Sequence, residues 1–99
     1  MVYEIIWEFR VRPERAAAFE AAYGPDGVWV KLFRMAEGFI ETRLLGDCEE
    51  KGRYLTVDCW ASADAFEAFR RDRKDAYMAL DRELEALCTE ERRIGAFAR

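Results

Sequence analysis

The alternating pattern of residues 2–11, VYEIIWEFRV, constrains the fold more than any other part of the chain. Successive side chains of a β-strand point to opposite faces of its sheet, so this segment predicts a strand with one apolar face. The apolar face consists of Tyr3, Ile5, Trp7, Phe9 and Val11, and the other face carries Glu4, Ile6, Glu8 and Arg10. An element with one apolar side buries it against a second layer, so we expect helices to cover that side of the sheet.

Helical signals follow this strand. Pro13 suits the first turn of a helix and Gly24 is a typical stop, so a helix is expected over about 13–23. The turn GPDG then offers Asp26 as the N-cap of a short second helix in VWVKLFRMA.

The second half of the chain predicts three more strands and one more helix. Strands are expected at 39–46, 53–60 and 92–98, and a polar hairpin joins the first two. Ser62 is a good N-cap for the helix that follows, and a bend is expected near residues 74–75, where the apolar stripe of that helix is interrupted.

The order β-α-(α)-β-β-α-β predicts a single α+β domain over residues 1–99. With right-handed crossovers it corresponds to the ferredoxin-like βαββαβ plan, in which a four-stranded antiparallel sheet has helices on one face. The length of 99 residues and the lack of an internal repeat or linker agree with one domain.

The absence of histidine narrows the chemistry that the chain can perform. It excludes a Ser-His or Cys-His nucleophile, a histidine base and a haem held by a proximal histidine, and it argues against zinc. The three cysteines, Cys48, Cys59 and Cys88, are odd in number and form no C-x-x-C pair, so no disulfide scaffold is expected.

Charge and hydropathy patterns narrow the possible partners. The net charge is −4, and the densest basic run, RRDRK at 70–74, is interrupted by an acidic residue. We interpret this run as a solvated helix face, so no nucleic-acid partner is expected. No apolar run approaches the roughly 20 residues of a membrane helix, and no signal-peptide pattern is present. We therefore expect a cytoplasmic protein with no membrane partner.

The segment YLTVDCWAS at 54–62 raises the question of which sheet face carries the chemistry. One side of this strand is apolar and consists of Leu55, Val57 and Cys59. We interpret that side as the one under the helices, which would place Tyr54, Thr56, Asp58 and Trp60 on the uncovered face. Strand 2 would add either Glu41 and Arg43, or Thr42 with Ile40 and Leu44, and periodicity does not decide between these sets.

Aromatic side chains on an uncovered sheet face would cost free energy in water. A second copy of the chain is therefore expected to pack its sheet against this face, which would give a homodimer that encloses a barrel-like space. The alternative is a solvent-exposed sheet with stray aromatic residues.

Three segments resemble the antibiotic biosynthesis monooxygenase family of dimeric α+β barrels, over essentially the whole chain. EFRVRPERAAAFE at 8–20 is similar to the family's strand, Pro turn and helix opening, and ERRIGAFA at 91–98 is similar to its closing strand. YLTVDCWASADAFEAFR at 54–70 is the most specific segment, with a strand that ends in Trp60 and a helix that carries Phe66. The resemblance implies a ferredoxin-like homodimer, a dimeric α/β barrel, with a cavity between helices and sheet or inside the barrel.

The family also implies a chemistry. Its characterised members include oxygenases of phenolic or quinol polyketides that need neither flavin nor metal, and others that degrade haem. Trp60 matches the strand-end Trp at the active site of the cofactor-free oxygenases. Their Asn four residues earlier is Thr56 here, their Tyr six residues later is Phe66, and their helix Arg has no secure counterpart. The haem-degrading branch uses a His, which this chain lacks, so the resemblance argues against haem degradation and implies that no cofactor is needed.

Two functions remain open from the sequence. The first is a small monooxygenase for an aromatic, phenolic or polyketide-like molecule, in which a carboxylate in a partly apolar cavity acts as the base. Its candidate catalytic residues are Trp60, Asp58 and Glu8, and its candidate substrate-binding residues are Tyr54, Thr56, Phe66, Arg10, Arg43 and Trp29. The second is a non-catalytic ligand-binding or structural homodimer of the same fold, in which Asp58 would simply pair with an arginine.

Overall fold

The computed structural model describes residues 1–99 and confirms the ferredoxin-like α+β plan. Four strands form one sheet in the order β2-β3-β1-β4, and all neighbouring strands are antiparallel. The strands are β1 Tyr3–Val11, β2 Phe39–Gly46, β3 Arg53–Trp60 and β4 Cys88–Ala98. The helices are α1 Ala16–Tyr23, α2 Val28–Phe33, α3 Ala63–Asp72 and α4 Lys74–Leu84, with single 3-10 turns at Pro13–Arg15 and Glu85–Leu87. None of these helices is long and apolar enough to cross a membrane.

Several local signals in the sequence are confirmed. The side chain of Ser62 caps α3 by accepting a hydrogen bond of 3.1 Å from the backbone N–H of Ala65. The predicted bend is a break at Arg73, whose backbone leaves the helical conformation between α3 and α4. The fourth strand begins at Cys88, four residues before its predicted start at 92, because Cys88 already pairs with Val11 of β1.

The predicted N-cap of α2 is wrong. Gly27, and not Asp26, occupies the cap position, and no side chain caps the helix there. A Cβ at Gly27 would lie 2.3 Å from the carbonyl oxygen of Ala22, so the close approach of two backbone segments requires glycine at this position.

The pairing of β1 with β3 corrects the predicted assignment of the sheet faces. Residues directly opposite one another in antiparallel strands share a face, and Ile5 lies opposite Asp58 while Trp7 lies opposite Thr56. The helices therefore cover the face that carries Tyr54, Thr56, Asp58 and Trp60. Leu55, Val57 and Cys59 lie on the uncovered face, together with Glu4, Ile6, Glu8 and Arg10.

The burial of Trp60 gives the physical reason for this arrangement. Its side chain is 0% exposed and packs against four aromatic rings of the helices and β2, with centroid distances between 5.2 and 5.6 Å. The largest side chain of β3 therefore fixes which side faces the helices, because burying it removes the most apolar surface from water.

The pairing of β2 with β3 also decides which residues of β2 lie on the uncovered face. Thr42 lies opposite Asp58 on the helix side, whereas Glu41 and Arg43 lie opposite Cys59 and Val57 on the uncovered face.

Candidate active site

A cavity of about 300 Å³ lies between the helices and the helix-facing side of the sheet. Aromatic side chains from the helices and β1 form much of its wall. Trp7 and Phe9 come from β1, Trp29 and Phe33 from α2, Phe66 from α3 and Tyr77 from α4. The helices meet β1 there because each helix directs its apolar side toward the sheet. The aromatic rings do not fill the space between helices and sheet, and they give the cavity flat walls.

Three polar side chains of β2 and β3 interrupt the apolar part of this wall: Thr42, Thr56 and Asp58. The hydroxyl of Thr42 donates a hydrogen bond of 2.8 Å to Oδ1 of Asp58, which lies directly across the strand pair. Asp58 forms no ion pair with any residue of the chain, so the interpretation that it pairs with Arg10 or Arg43 is wrong.

The surroundings of Asp58 change its acidity. Burial raises the pKa of its carboxyl from 3.8 to about 6, and the hydrogen bond from Thr42 opposes part of this rise. The carboxyl is enclosed by protein on most sides but keeps some accessible surface because it faces the cavity. A carboxylate with a pKa close to neutrality can accept a proton from a weakly acidic carbon or hydroxyl and then release it.

The structure places four of the sequence-predicted site residues in the wall of this cavity: Asp58, Thr56, Phe66 and Trp29. Two other predicted site residues, Trp60 and Tyr54, lie on the same face of the sheet as Asp58 but outside the cavity wall. Trp60 is buried beside Phe66, with ring centroids 5.5 Å apart. Tyr54 packs on the α1 side, and its hydroxyl donates a hydrogen bond of 2.5 Å to the carboxylate of Glu20.

The other three predicted site residues, Glu8, Arg10 and Arg43, lie on the opposite face of the sheet. Glu8 accepts hydrogen bonds from Arg53 at 2.5 Å and from Arg92 at 3.0 Å, and these partners hold the pKa of its carboxyl below the usual range. Arg10 pairs with Glu50, and Arg43 pairs with its neighbour Glu41. The prediction that these side chains join Asp58 was wrong because it depended on the incorrect assignment of the faces.

Sequence reasoning missed several residues of the cavity, among them Arg70 and Tyr77. The RRDRK run at 70–74 was interpreted as a solvated helix face, but the guanidinium carbon of Arg70 lies 4.5 Å from the ring centroid of Tyr77 and 5.8 Å from that of Phe66. Arg70 follows Phe66 by four residues and precedes Tyr77 by seven. The spacing of Phe66 and Arg70 within α3 was the signal that could have placed these two on one side, whereas Tyr77 lies on α4, beyond the break at Arg73.

Other reactive groups lie outside the cavity. Cys59 is buried on the uncovered face of the sheet, where its thiol donates to Glu4 at 3.5 Å and burial raises its pKa. No three His, Cys, Asp or Glu side chains converge in a way that would hold a metal ion.

The fold and the site define a ferredoxin-like α+β domain with an internal, aromatic-walled cavity. The sequence model of the antibiotic biosynthesis monooxygenase family matches residues 2–74, and the chain belongs to this family. No curated protein sequence matches the chain.

Solved structures share the fold over nearly the full length. SnoaB, a cofactor-independent oxygenase from Streptomyces nogalater, is 21% identical, with a TM-score of 0.71 over 99% of this chain and 92% of SnoaB. A Bordetella bronchiseptica protein described by the same family name is 20% identical, with a TM-score of 0.75 over 99% of this chain and 96% of its own. A Deinococcus radiodurans protein, also described by that family name, is 19% identical, with a TM-score of 0.72 over 100% of this chain and 92% of its own. At these identities the similarity shows the fold alone.

Proposed function

We propose that the chain is a small cofactor-independent monooxygenase for an aromatic phenol, a quinol or a polyketide-like molecule, which binds in the cavity between helices and sheet. The observation that carries this proposal is Asp58, a carboxyl with a pKa of about 6 among aromatic walls and without a cationic partner. Membership of the family and the fold shared with SnoaB, a cofactor-independent oxygenase, support the same reaction class.

The proposed reaction uses the substrate as the electron donor. Asp58 accepts a proton from an activated CH₂ group or phenol, and the resulting electron-rich anion reacts with O₂ to form a hydroperoxide at that carbon. Asp58 returns its proton to the peroxide, and loss of water leaves a carbonyl group, so that R₂CH₂ and O₂ give R₂C=O and H₂O. A positioned base of this kind contributes roughly 10²–10⁴-fold to a rate.

The cavity suits a planar substrate of limited size. Its volume of about 300 Å³ is at the lower end for small-molecule sites, which favours two or three fused rings. Trp7, Trp29 and Phe66 supply flat apolar walls, while the hydroxyls of Thr42 and Thr56 lie near the reacting end. An apolar enclosure also excludes water that would compete for the anion.

The uncovered face of the sheet favours a homodimer. Leu45 and Phe97 are 47% and 51% exposed on this face, and Ile6, Leu55 and Val57 extend the apolar surface between them. Sheet-to-sheet packing of two copies would bury these side chains, in agreement with the dimeric barrel that the family implies. Sedimentation at micromolar concentration should give about twice 11.6 kDa, and a mass near 11.6 kDa would contradict the dimer.

Oxygen consumption tests the proposed reaction. We expect the metal-free protein, in the presence of a chelator, to consume O₂ with at least one member of a panel of hydroquinones and anthrones. Asp58→Asn should remove this activity, whereas Asp26→Asn, at an exposed turn position, should retain it as the matched control. Binding without uptake above buffer across the panel would favour the non-catalytic ligand-binding alternative and sink the monooxygenase proposal for these classes.

A further inference from the structure

The cavity has a charged mouth where α3 and α4 face the edge strand β4. Arg70 and Asp81 come from the helices, Glu91 and Arg93 come from β4, and all four are exposed while they also line the cavity. None of the four takes part in an ion pair or donates or accepts a side-chain hydrogen bond within the chain. The charges at the mouth are therefore available to a ligand.

The two arginines both lie at the wall of the cavity. Arg70 lies over the rings of Tyr77 and Phe66, which fixes its guanidinium beside the cavity by cation–π contacts. Arg93 lies directly opposite Trp7 of β1, on the helix side of the sheet. A guanidinium has five N–H donors and no acceptor, so an unpaired pair of them at one opening favours an anionic oxygen group.

Two acidic residues, Asp81 and Glu91, complete the mouth. Glu91 is opposite Phe9, one row of the sheet further from Asp58 than Arg93. Asp81 is close enough to Glu91 to raise the pKa of its carboxyl, in addition to the larger effect of burial. Along β4, Arg93 is therefore closer to the row of Asp58 than Glu91 is, so a ligand that extends from Asp58 past Trp7 reaches Arg93 before Glu91.

We infer that the ligand of this cavity is an aromatic acid, whose carboxylate is bound by Arg70 and Arg93 at the mouth while its rings fill the cavity. The inference deepens the proposed function and rests on it for the role of Asp58. β3 and β4 are two strand spacings apart, about 10 Å, which matches the length of a molecule of two or three fused rings. The reverse orientation would place the carboxylate against Asp58, where like charges repel.

Equilibrium dialysis of 2-naphthoate and 2-naphthamide tests this inference, because the two probes have nearly the same shape and differ in charge. The protein should bind naphthoate about tenfold more tightly than the amide at low salt. This ratio is the effect expected of one charge-assisted hydrogen bond, reduced because solvent screens charges at an exposed site. Arg70→Gln and Arg93→Gln should each reduce this preference, and added salt should reduce it in the unmodified protein. Arg82→Gln, an exposed position of α4 outside the cavity wall, removes the same charge and should leave the preference unchanged.

Equal affinities for the two probes, no binding of either, or a preference that survives both cavity substitutions would overturn the inference. These outcomes are distinguishable from failure of the proposed function. Oxygen uptake with an uncharged anthrone and no preference for naphthoate would sink the anion site alone. A preference for naphthoate that depends on Arg70 and Arg93, without oxygen uptake by any substrate, would leave the anion site and remove the oxygenase.

Discussion

Replacing Asp58 with Asn should stabilise the protein at neutral pH while it removes the proposed base. Thr42 is the one hydrogen-bond partner of the carboxyl, and burial raises its pKa from 3.8 to about 6. The folded protein therefore binds this proton more tightly than the unfolded chain does, so ionisation of Asp58 lowers the free energy of unfolding. Asn is uncharged and nearly isosteric, and its side-chain oxygen can still accept the Thr42 hydrogen bond.

The magnitude follows from the size of the pKa shift. At 1.36 kcal/mol per pKa unit, a rise from 3.8 to about 6 corresponds to about 3 kcal/mol. Below about pH 3.8 the carboxyl is protonated in both states and imposes no cost. As the pH rises from there through about 6, the unfolded chain loses the proton first, so the cost grows and is complete above that range. Without a bound substrate, solvent that reaches the carboxyl through the open cavity reduces the figure, so we expect a stabilisation of about 2–3 kcal/mol at pH 8.

Urea unfolding at a fixed protein concentration measures this effect, with Asp26→Asn as the matched control. The concentration is held constant because association of two copies would add to the apparent stability. The difference in unfolding free energy between Asp58→Asn and the unmodified protein should be small at about pH 4, where the unfolded carboxyl is only partly ionised, and should increase toward pH 8. The control should show no such increase. A variant that is less stable at pH 8, or a difference that does not depend on pH, would refute the reasoning about Asp58.

Three further predictions concern residues around the site and on the opposite face. Thr42→Val removes the hydrogen bond that lowers the pKa of Asp58, so the rise of oxygen uptake with pH should move to higher pH, and an unchanged pH profile would contradict this role. Gly38→Ala should destabilise the protein by about 1–3 kcal/mol in urea unfolding. Gly38 has φ +89°, and an added Cβ would lie 2.6 Å from the Cβ of Ala65. An unchanged unfolding midpoint would show that α3 is not held tightly against Gly38. Glu8→Gln should lower the thermal midpoint at neutral pH, because two arginines hold the pKa of Glu8 below 4.5. The difference between variant and unmodified protein should disappear as the pH falls through that lowered pKa. An effect of equal size at neutral and strongly acid pH would argue against the ion pairs.

Much of the fold could be predicted because its signals are local. The strands at 39–46 and 53–60 have the predicted bounds, since alternation and the polar hairpin between them depend on neighbouring residues. The cap at Ser62 and the break at Arg73 are likewise determined within a few residues. The early start of β4 could not be predicted, because Thr89 and Glu90 are exposed at a sheet edge and carry no apolar pattern.

The composition of the candidate site could be predicted only in part, because it depends on the register between strands. Alternation showed that the two sides of β3 differ, but the side that faces the helices is set by pairing with β1. The number of apolar residues favoured Leu55, Val57 and Cys59 as the side under the helices, whereas the volume of Trp60 decides the packing. A cavity on the helix side then accommodates Asp58, which a completely filled core would exclude.

Oxygen uptake by the metal-free protein as a function of pH, with one anthrone substrate, tests the central claim most directly. If Asp58 is the base, the rate should increase through about pH 6 to a plateau, and Asp58→Asn should lower the plateau by about 100-fold and abolish the increase near pH 6. A rate that does not change with pH across this range, or an Asp58→Asn variant with the full rate, would contradict the account.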